Sequence, residues 1–163
     1  MRVREATADD FDEIARITID AYRALERWVG DDYAEHLADV EGRAKAENTT
    51  VLVAEDGDVG ILGSVTLTIG GGPLFEWDPD VDGDCGFRML AVDPAAQGHG
   101  VGPRLVEECF ERARAAGCRR MVIGSTEWMT TAHRIYERFG FVRAPERDQM
   151  WGDIRGLCFI VDL

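Results

Sequence analysis

LAVDPAAQGHGVGPRLVEE, residues 90–108, joins the end of one apolar run to the start of an amphipathic one. Residues 86–92 are apolar except for Arg88 and stop at Asp93-Pro94, which reads as a buried strand ended by a turn. From Gly102 on, Leu105, Val106, Cys109, Phe110, Ala113 and Ala116 recur at helical spacing, and Gly117 is a natural C-terminal cap. Glycines at 98, 100 and 102 lie between strand and helix. Glycine lets the backbone adopt positive φ and approach a ligand closely. The first N–H groups of a helix have no partner within it, and the helix dipole favours negative charge there. Pro103, with no N–H of its own, suits the start of such a helix. The stretch therefore predicts a phosphate cradle built from main-chain amides.

Two other phosphate-binding patterns do not fit. A P-loop needs lysine before Ser/Thr, and Lys45 is the only lysine in the chain. A dinucleotide fingerprint needs glycine at position 103 and normally follows the first strand.

Working outward, residues 3–6 read as a short strand, and Thr7 with Asp10 as a helix start. Phe11, Ile14, Ala15, Thr18, Tyr22 and Leu25 form a helical stripe that Gly30 breaks. A second, weaker stripe is Tyr33, Leu37, Val40 and Ala44. Residues 50–55 and 62–69 read as strands around the Asp56-Gly57 turn, the second with clear alternation. Met121–Ile123, a helix carrying Ala132, Ile135, Tyr136 and Phe139, and strands at 141–142 and 157–161 complete the order β-α-α-β-β-β-α-β-α-β-β. Tight turns suggest antiparallel pairing, and the strand-helix-strand unit at 86–123 suggests a parallel crossover, so the expected sheet is mixed. No repeat, linker or low-complexity tract interrupts it, and residues 1–163 read as one α/β domain.

Apolar residues at 45% and charged residues at 30% describe a globular chain. The polar N-terminus and the short apolar runs predict no signal peptide and no membrane span, hence a cytoplasmic protein. A net charge of -13 argues against nucleic-acid or anionic-membrane partners. Four cysteines, at 85, 109, 118 and 158, lack C-x-x-C spacing and read as reduced thiols. Asp78, Asp80, Asp82 and Gly83 open like a calcium loop, but the twelfth position is Met89 rather than glutamate, so no metal is expected. His36, His99 and His133 have no metal spacing; His99 reads as a loop residue and the others as helix surface.

With Gln97-Gly98-x-Gly100-x-Gly102 after a strand and before a helix, and AHRIYERFGF at 132–141, the chain resembles the GNAT N-acetyltransferase superfamily. The first run fills the family's [Gln/Arg]-Gly-x-Gly-x-[Gly/Ala]; the second its A-x-x-x-Y-x-x-x-G-F. The element order is similar from end to end. The position seven before the tyrosine, often asparagine in the family, is Met129 here.

The resemblance implies an α/β fold with a mixed, mostly antiparallel sheet that splays apart between flanking helices. It implies acetyl-CoA as cosubstrate, with the pantetheine arm along the main chain of Leu90, Ala91 and Val92. The pyrophosphate would sit on Gln97, Gly98, His99, Gly100, Val101 and Gly102. A β-bulge near Arg88-Met89 and an acceptor pocket drawing on the first two helices and residues 74–84 are implied too. Trp28, Tyr33, Trp77 and Trp128 could line that pocket or simply pack the core. Relatives are commonly dimers, so a homodimer is compatible.

Acetyl transfer to an amine needs a neutral amine, donors for the oxyanion and a proton for the leaving thiolate. Spacing alone makes Tyr136 a core residue; the motif makes it the acid as well. For the base, Asp84 and Glu127 rank above Glu76, with a water chain as the alternative. The acidic stretch from 74 to 84 would favour a cationic acceptor. No Ser–His or Cys–His arrangement is evident, which favours direct attack in a ternary complex over a covalent acyl-enzyme. The rival function is a non-catalytic acyl-CoA-binding sensor or interaction domain.

Overall fold

The structure, a computed structural model, describes residues 1–28, 30–71 and 83–163. The expected Glu76, Trp77 and acidic stretch thus fall, but for Gly83 and Asp84, outside the described residues. Along the chain come β1 (Arg2–Glu5), α1 (Phe11–Arg23), α2 (Asp31–Ala38), α3 (Val40–Lys45), β2 (Thr49–Asp56), β3 (Gly60–Ile69) and β4 (Asp84–Val92). There follow α4 (Val101–Ala115), β5 (Arg120–Ser125), α5 (Thr130–Arg138), β6 (Val142–Arg143), β7 (Gln149–Trp151) and β8 (Ile154–Asp162). Among the described residues the strands form one sheet in the order β1-β2-β3-β4-β5-β8-β6, with β7 also on β8. Every pairing is antiparallel except β4 with β5, the crossover that carries α4.

Strand β2 explains the layering. Its alternate residues Leu52 and Ala54 join a core with Leu105, Phe110 and Tyr136 from α4 and α5. Val51 and Val53 point the other way, onto Ile14 of α1 and Val40 of α3. The period-2 alternation of a strand thus feeds two cores, and both faces of the sheet are covered.

Two elements differ from the sequence reading. The stripe Tyr33–Ala44 is not one helix, because Asp39 leaves helical geometry (φ -76, ψ 66) and separates α2 from α3. Its carboxylate accepts the Gly42 N–H at 2.9 Å, capping α3, and a capping side chain competes with helix continuation. Strand β7 is absent from the sequence reading, because its three residues, Gln149-Met150-Trp151, are too few to show alternation. It pairs Trp151 with Ile154 across the two-residue turn Gly152-Asp153, with Gly152 at φ 64.

The Thr7–Asp10 start signal is realised. Asp10 accepts from the Thr7 N–H at 2.7 Å and from Arg4 Nη1 at 2.7 Å and Nη2 at 3.0 Å. The Arg4 hydrogen bonds, foremost, lower the Asp10 pKa from 3.8 to about 2. A depressed carboxylate pKa adds stability that is present above about pH 4 and is lost as pH falls toward about 2. Asp10→Ala should cost about 1–2 kcal/mol at pH 7, and the gap to wild type should close below about pH 3. Urea melts at pH 7 and pH 3 check this; a pH-independent difference would contradict it.

Candidate functional site

The site begins where two strands part. β4 and β5 pair only at Asp84 with Arg120 and Cys85 with Met121. Beyond that point β5 stays on β8 and β4 stays on β3, so the sheet opens between them. β4 bends at the same place. Thr66 faces Arg88 and Ser64 faces Ala91, so Met89 and Leu90 together oppose Val65, and Met89 has φ 51. This is the bulge expected near Arg88-Met89. A non-glycine residue at positive φ costs of order 1–3 kcal/mol and is retained where the backbone is held for a purpose. A bulge bends its strand, and this one lies on the stretch of β4 that no longer pairs with β5.

At the far end of β4, Asp93 fixes the loop. Its carboxylate accepts from Ala95 N–H at 2.8 Å and meets Arg16 of α1 at 2.6 Å. Gly98 and Gly100 both have φ 80, the left-handed conformation that L side chains avoid. Gly100 is the N-cap of α4, and the first bond of that helix runs from Arg104 N–H to the Gly100 carbonyl at 3.1 Å. The N–H groups of Val101 and Gly102 therefore have no intrahelical acceptor. Pro103 is the third helical residue rather than the first, still among the positions whose N–H would go unused. At Gly102 an added Cβ would lie 3.0 Å from Ile135 Cδ1, so α4 approaches α5 closely there.

Gap and loop open into one cavity of about 1020 Å³. Its walls include Leu90, Val92, Gln97, Gly98, Gly100, Val101 and Gly102 of the expected cofactor residues, together with Tyr136. Ala91 does not line it and is 2% exposed. His99 does not line it either, lying exposed with Nδ1 3.0 Å from the Gln97 carbonyl oxygen. Met129, N-cap of α5, lines the cavity with an apolar side chain.

Tyr136 is 5% exposed and packs among Phe87, Phe141 and Phe159, with centroids 5.6 to 5.8 Å away. It is both core residue and cavity wall. Burial pushes the phenol's pKa above its ordinary 10, so its proton is retained at every working pH. No hydrogen bond engages its hydroxyl among the described residues.

The two carboxylates expected as bases lie elsewhere. Asp84 is 3% exposed and takes Arg120 Nε at 3.2 Å and Nη2 at 2.5 Å, at the end of β4 where the strands still pair. It closes the sheet at the hinge of the split and is not on the cavity wall. Glu127 is exposed on the turn after β5, also off the wall. Of the aromatic candidates, Tyr33 lines the cavity, whereas Trp28 and Trp128 are instead stacked under Arg23 and Arg27.

Several wall residues were not singled out in the sequence. Trp151 and Asp153 reach the cavity from the β7–β8 turn; the Gly-Asp pair is a hairpin signal that could have located them. Ser125 and Thr126 reach it from the end of β5, and Thr126 Oγ1 is buried with no partner among the described residues. The fold also assembles a Ser–His pair that spacing did not suggest. Ser125 Oγ is 3.0 Å from His133 Nε2, and His133 is half-buried rather than on the helix surface.

A mixed sheet that opens beside a glycine-opened helix, with a tyrosine in the opening, is an acetyltransferase-type fold. The chain belongs to the Acetyltransferase (GNAT) family, which it matches over residues 11–141. It is 27% identical over 121 residues to an "IAA acetyltransferase" of Azospirillum brasilense, covering 72% of this chain and 71% of that one. Among solved structures it is similar to a putative acetyltransferase of Salmonella typhimurium, solved with its cofactor acetyl-CoA. That match has 23% identity, TM-score 0.70, and covers 99% and 93% of the two chains. A GCN5-related N-acetyltransferase of Kribbella flavida superimposes with TM-score 0.75 at 22% identity, covering 99% and 97%. No helix among the described residues is long and apolar enough to cross a membrane.

Proposed function

We propose that this protein transfers the acetyl group of acetyl-CoA to a primary amine by direct attack in a ternary complex. The observation that carries the reading is the joining of the β4–β5 gap, the α4 N-terminus and Tyr136 in one cavity. The amides at Gly98 to Gly102 cradle the pyrophosphate, and the freed edge of β4 pairs with the pantetheine amides. The thioester then lies at the bulge, where a β4 N–H stabilises the oxyanion. Attack by the amine nitrogen forms the C–N bond and the C–S bond breaks. Tyr136 gives its proton to the leaving thiolate, whose conjugate thiol has a pKa near roughly 8.5, well below that of the buried phenol. The phenolate left behind must therefore be reprotonated within the cycle. The acceptor enters between α1–α2 and the β7–β8 turn, past Tyr22, Tyr33, Trp151 and Asp153. A cytoplasmic setting accords with four free cysteines.

The test is thiol release from acetyl-CoA, followed with a thiol reagent, against lysine, spermidine, phenethylamine, glucosamine 6-phosphate and an alanine-initiated peptide. At least one amine is expected to accelerate release. Tight acetyl-CoA binding with no acceleration by any of them would favour a binding module instead.

A further inference from the structure

We infer that Ser125 and His133 form a proton relay into the cavity, in which the Ser125 hydroxyl takes the proton of the attacking amine and passes its own to His133 Nε2. The inference rests on the transfer reading above and supplies the base that Asp84 and Glu127, both off the cavity wall, do not.

The geometry fits. Ser125 is the last residue of β5, on the stretch that has parted from β4, and it lines the cavity at 2% exposure. Its Oγ is 3.0 Å from His133 Nε2, inside the range for proton transfer. His133 sits on α5 one turn before Tyr136, and its ring is fixed between Tyr136 at 6.3 Å and Phe159 at 5.0 Å. The neighbouring Thr126 is 4% exposed and lines the same wall, and its buried Oγ1 has no partner among the described residues. The remaining carboxylate on the described wall, Asp153, is exposed at the mouth and faces Arg27 at 3.4 Å.

The electrostatics keep the imidazole ready to accept. Burial lowers the His133 pKa below 6.5; the Thr126 carbonyl and Glu137 oppose the shift, and Arg143 on β6 reinforces it. Arg143 is itself neutralised by Asp148 at 2.8 Å. The net shift favours the neutral, proton-accepting imidazole. The proton count closes for a neutral amine. The amine loses one proton through Ser125 to His133, and the thiolate gains one from Tyr136. The imidazolium and phenolate so formed stand one helical turn apart, and transfer of one proton from His133 to Tyr136, direct or through water, restores both. Ser125 forms no bond to carbon at any point.

The test uses the fastest amine of the panel above, with acetyl-CoA affinity measured separately by calorimetry. Ser125→Ala and His133→Gln should each lower kcat about 100-fold, with acetyl-CoA Kd changed by less than about twofold. In wild type the acidic limb of the kcat–pH profile reports His133, and it should vanish in His133→Gln. Folded variants with wild-type kcat, or an acidic limb that persists in His133→Gln, would overturn the relay while leaving the transfer reading intact. An acetyl group found on Ser125 by mass spectrometry after acetyl-CoA alone would also overturn it. A wild-type protein that binds acetyl-CoA but shows no amine-dependent release would overturn the transfer reading, and the relay with it.

Discussion

Tyr136→Phe is expected to lower kcat about 100-fold while leaving acetyl-CoA affinity and thermal stability nearly unchanged. The three expectations have separate causes. Phenylalanine keeps the ring that packs on Phe87, Phe141 and Phe159, so the core loses nothing. The hydroxyl makes no hydrogen bond among the described residues, so its removal strands no buried partner. What disappears is the proton offered to the thiolate. Steady-state kinetics with the amine that turns over fastest, beside calorimetry and a thermal melt, separates the terms. A variant with wild-type kcat would remove Tyr136 from the chemistry. A variant that lost several degrees of stability would show that the hydroxyl has a structural partner.

Gly98→Asp should weaken acetyl-CoA binding on the order of 100-fold, and Gly98→Asn much less. Position 98 lines the cavity, and an added Cβ there meets nothing within 4 Å. Its φ of 80 is one that Asp and Asn tolerate better than other side chains, so both variants should fold. The pair differs by one negative charge beside the proposed pyrophosphate. Two unit charges roughly 5 Å apart, at an effective dielectric of about 20, repel by about 3 kcal/mol. Added salt should narrow the difference. Equal affinities for the two variants would place the pyrophosphate away from this loop.

The features that were legible in the sequence are those with local causes. Gly98 and Gly100 announced a backbone that bends at a helix start, because their positive φ is what glycine permits, and Gly102 a close helix approach. The Thr7–Asp10 signal likewise involves groups three residues apart. The place of Asp84 off the cavity wall was not legible, because it depends on register. Asp84 stands at the end of β4 that still meets β5, where Arg120 claims it, and no local pattern tells which end of a strand stays paired. Ser125 and His133 are eight residues apart, with a turn and a helix start between them, so neither strand nor helix periodicity brings them together. The break at Asp39 was hidden because the apolar stripe of α2 and α3 continues across it, and only a capping side chain marks the interruption. Trp151 and Asp153 had only the Gly152-Asp153 turn to signal them, because the three residues of β7 are too few to alternate and their strand character comes from pairing with β8.

Main-chain amides at the start of α4 and along the parted edge of β4 are proposed to hold acetyl-CoA. Amide NMR of the labelled protein during an acetyl-CoA titration reads those groups one by one. Saturable shifts are expected at Gly98, Gly100, Val101, Gly102 and along 89–92, with β1 and β2 unmoved. Saturation with those amides still, or no response anywhere in a folded sample, would contradict the proposal.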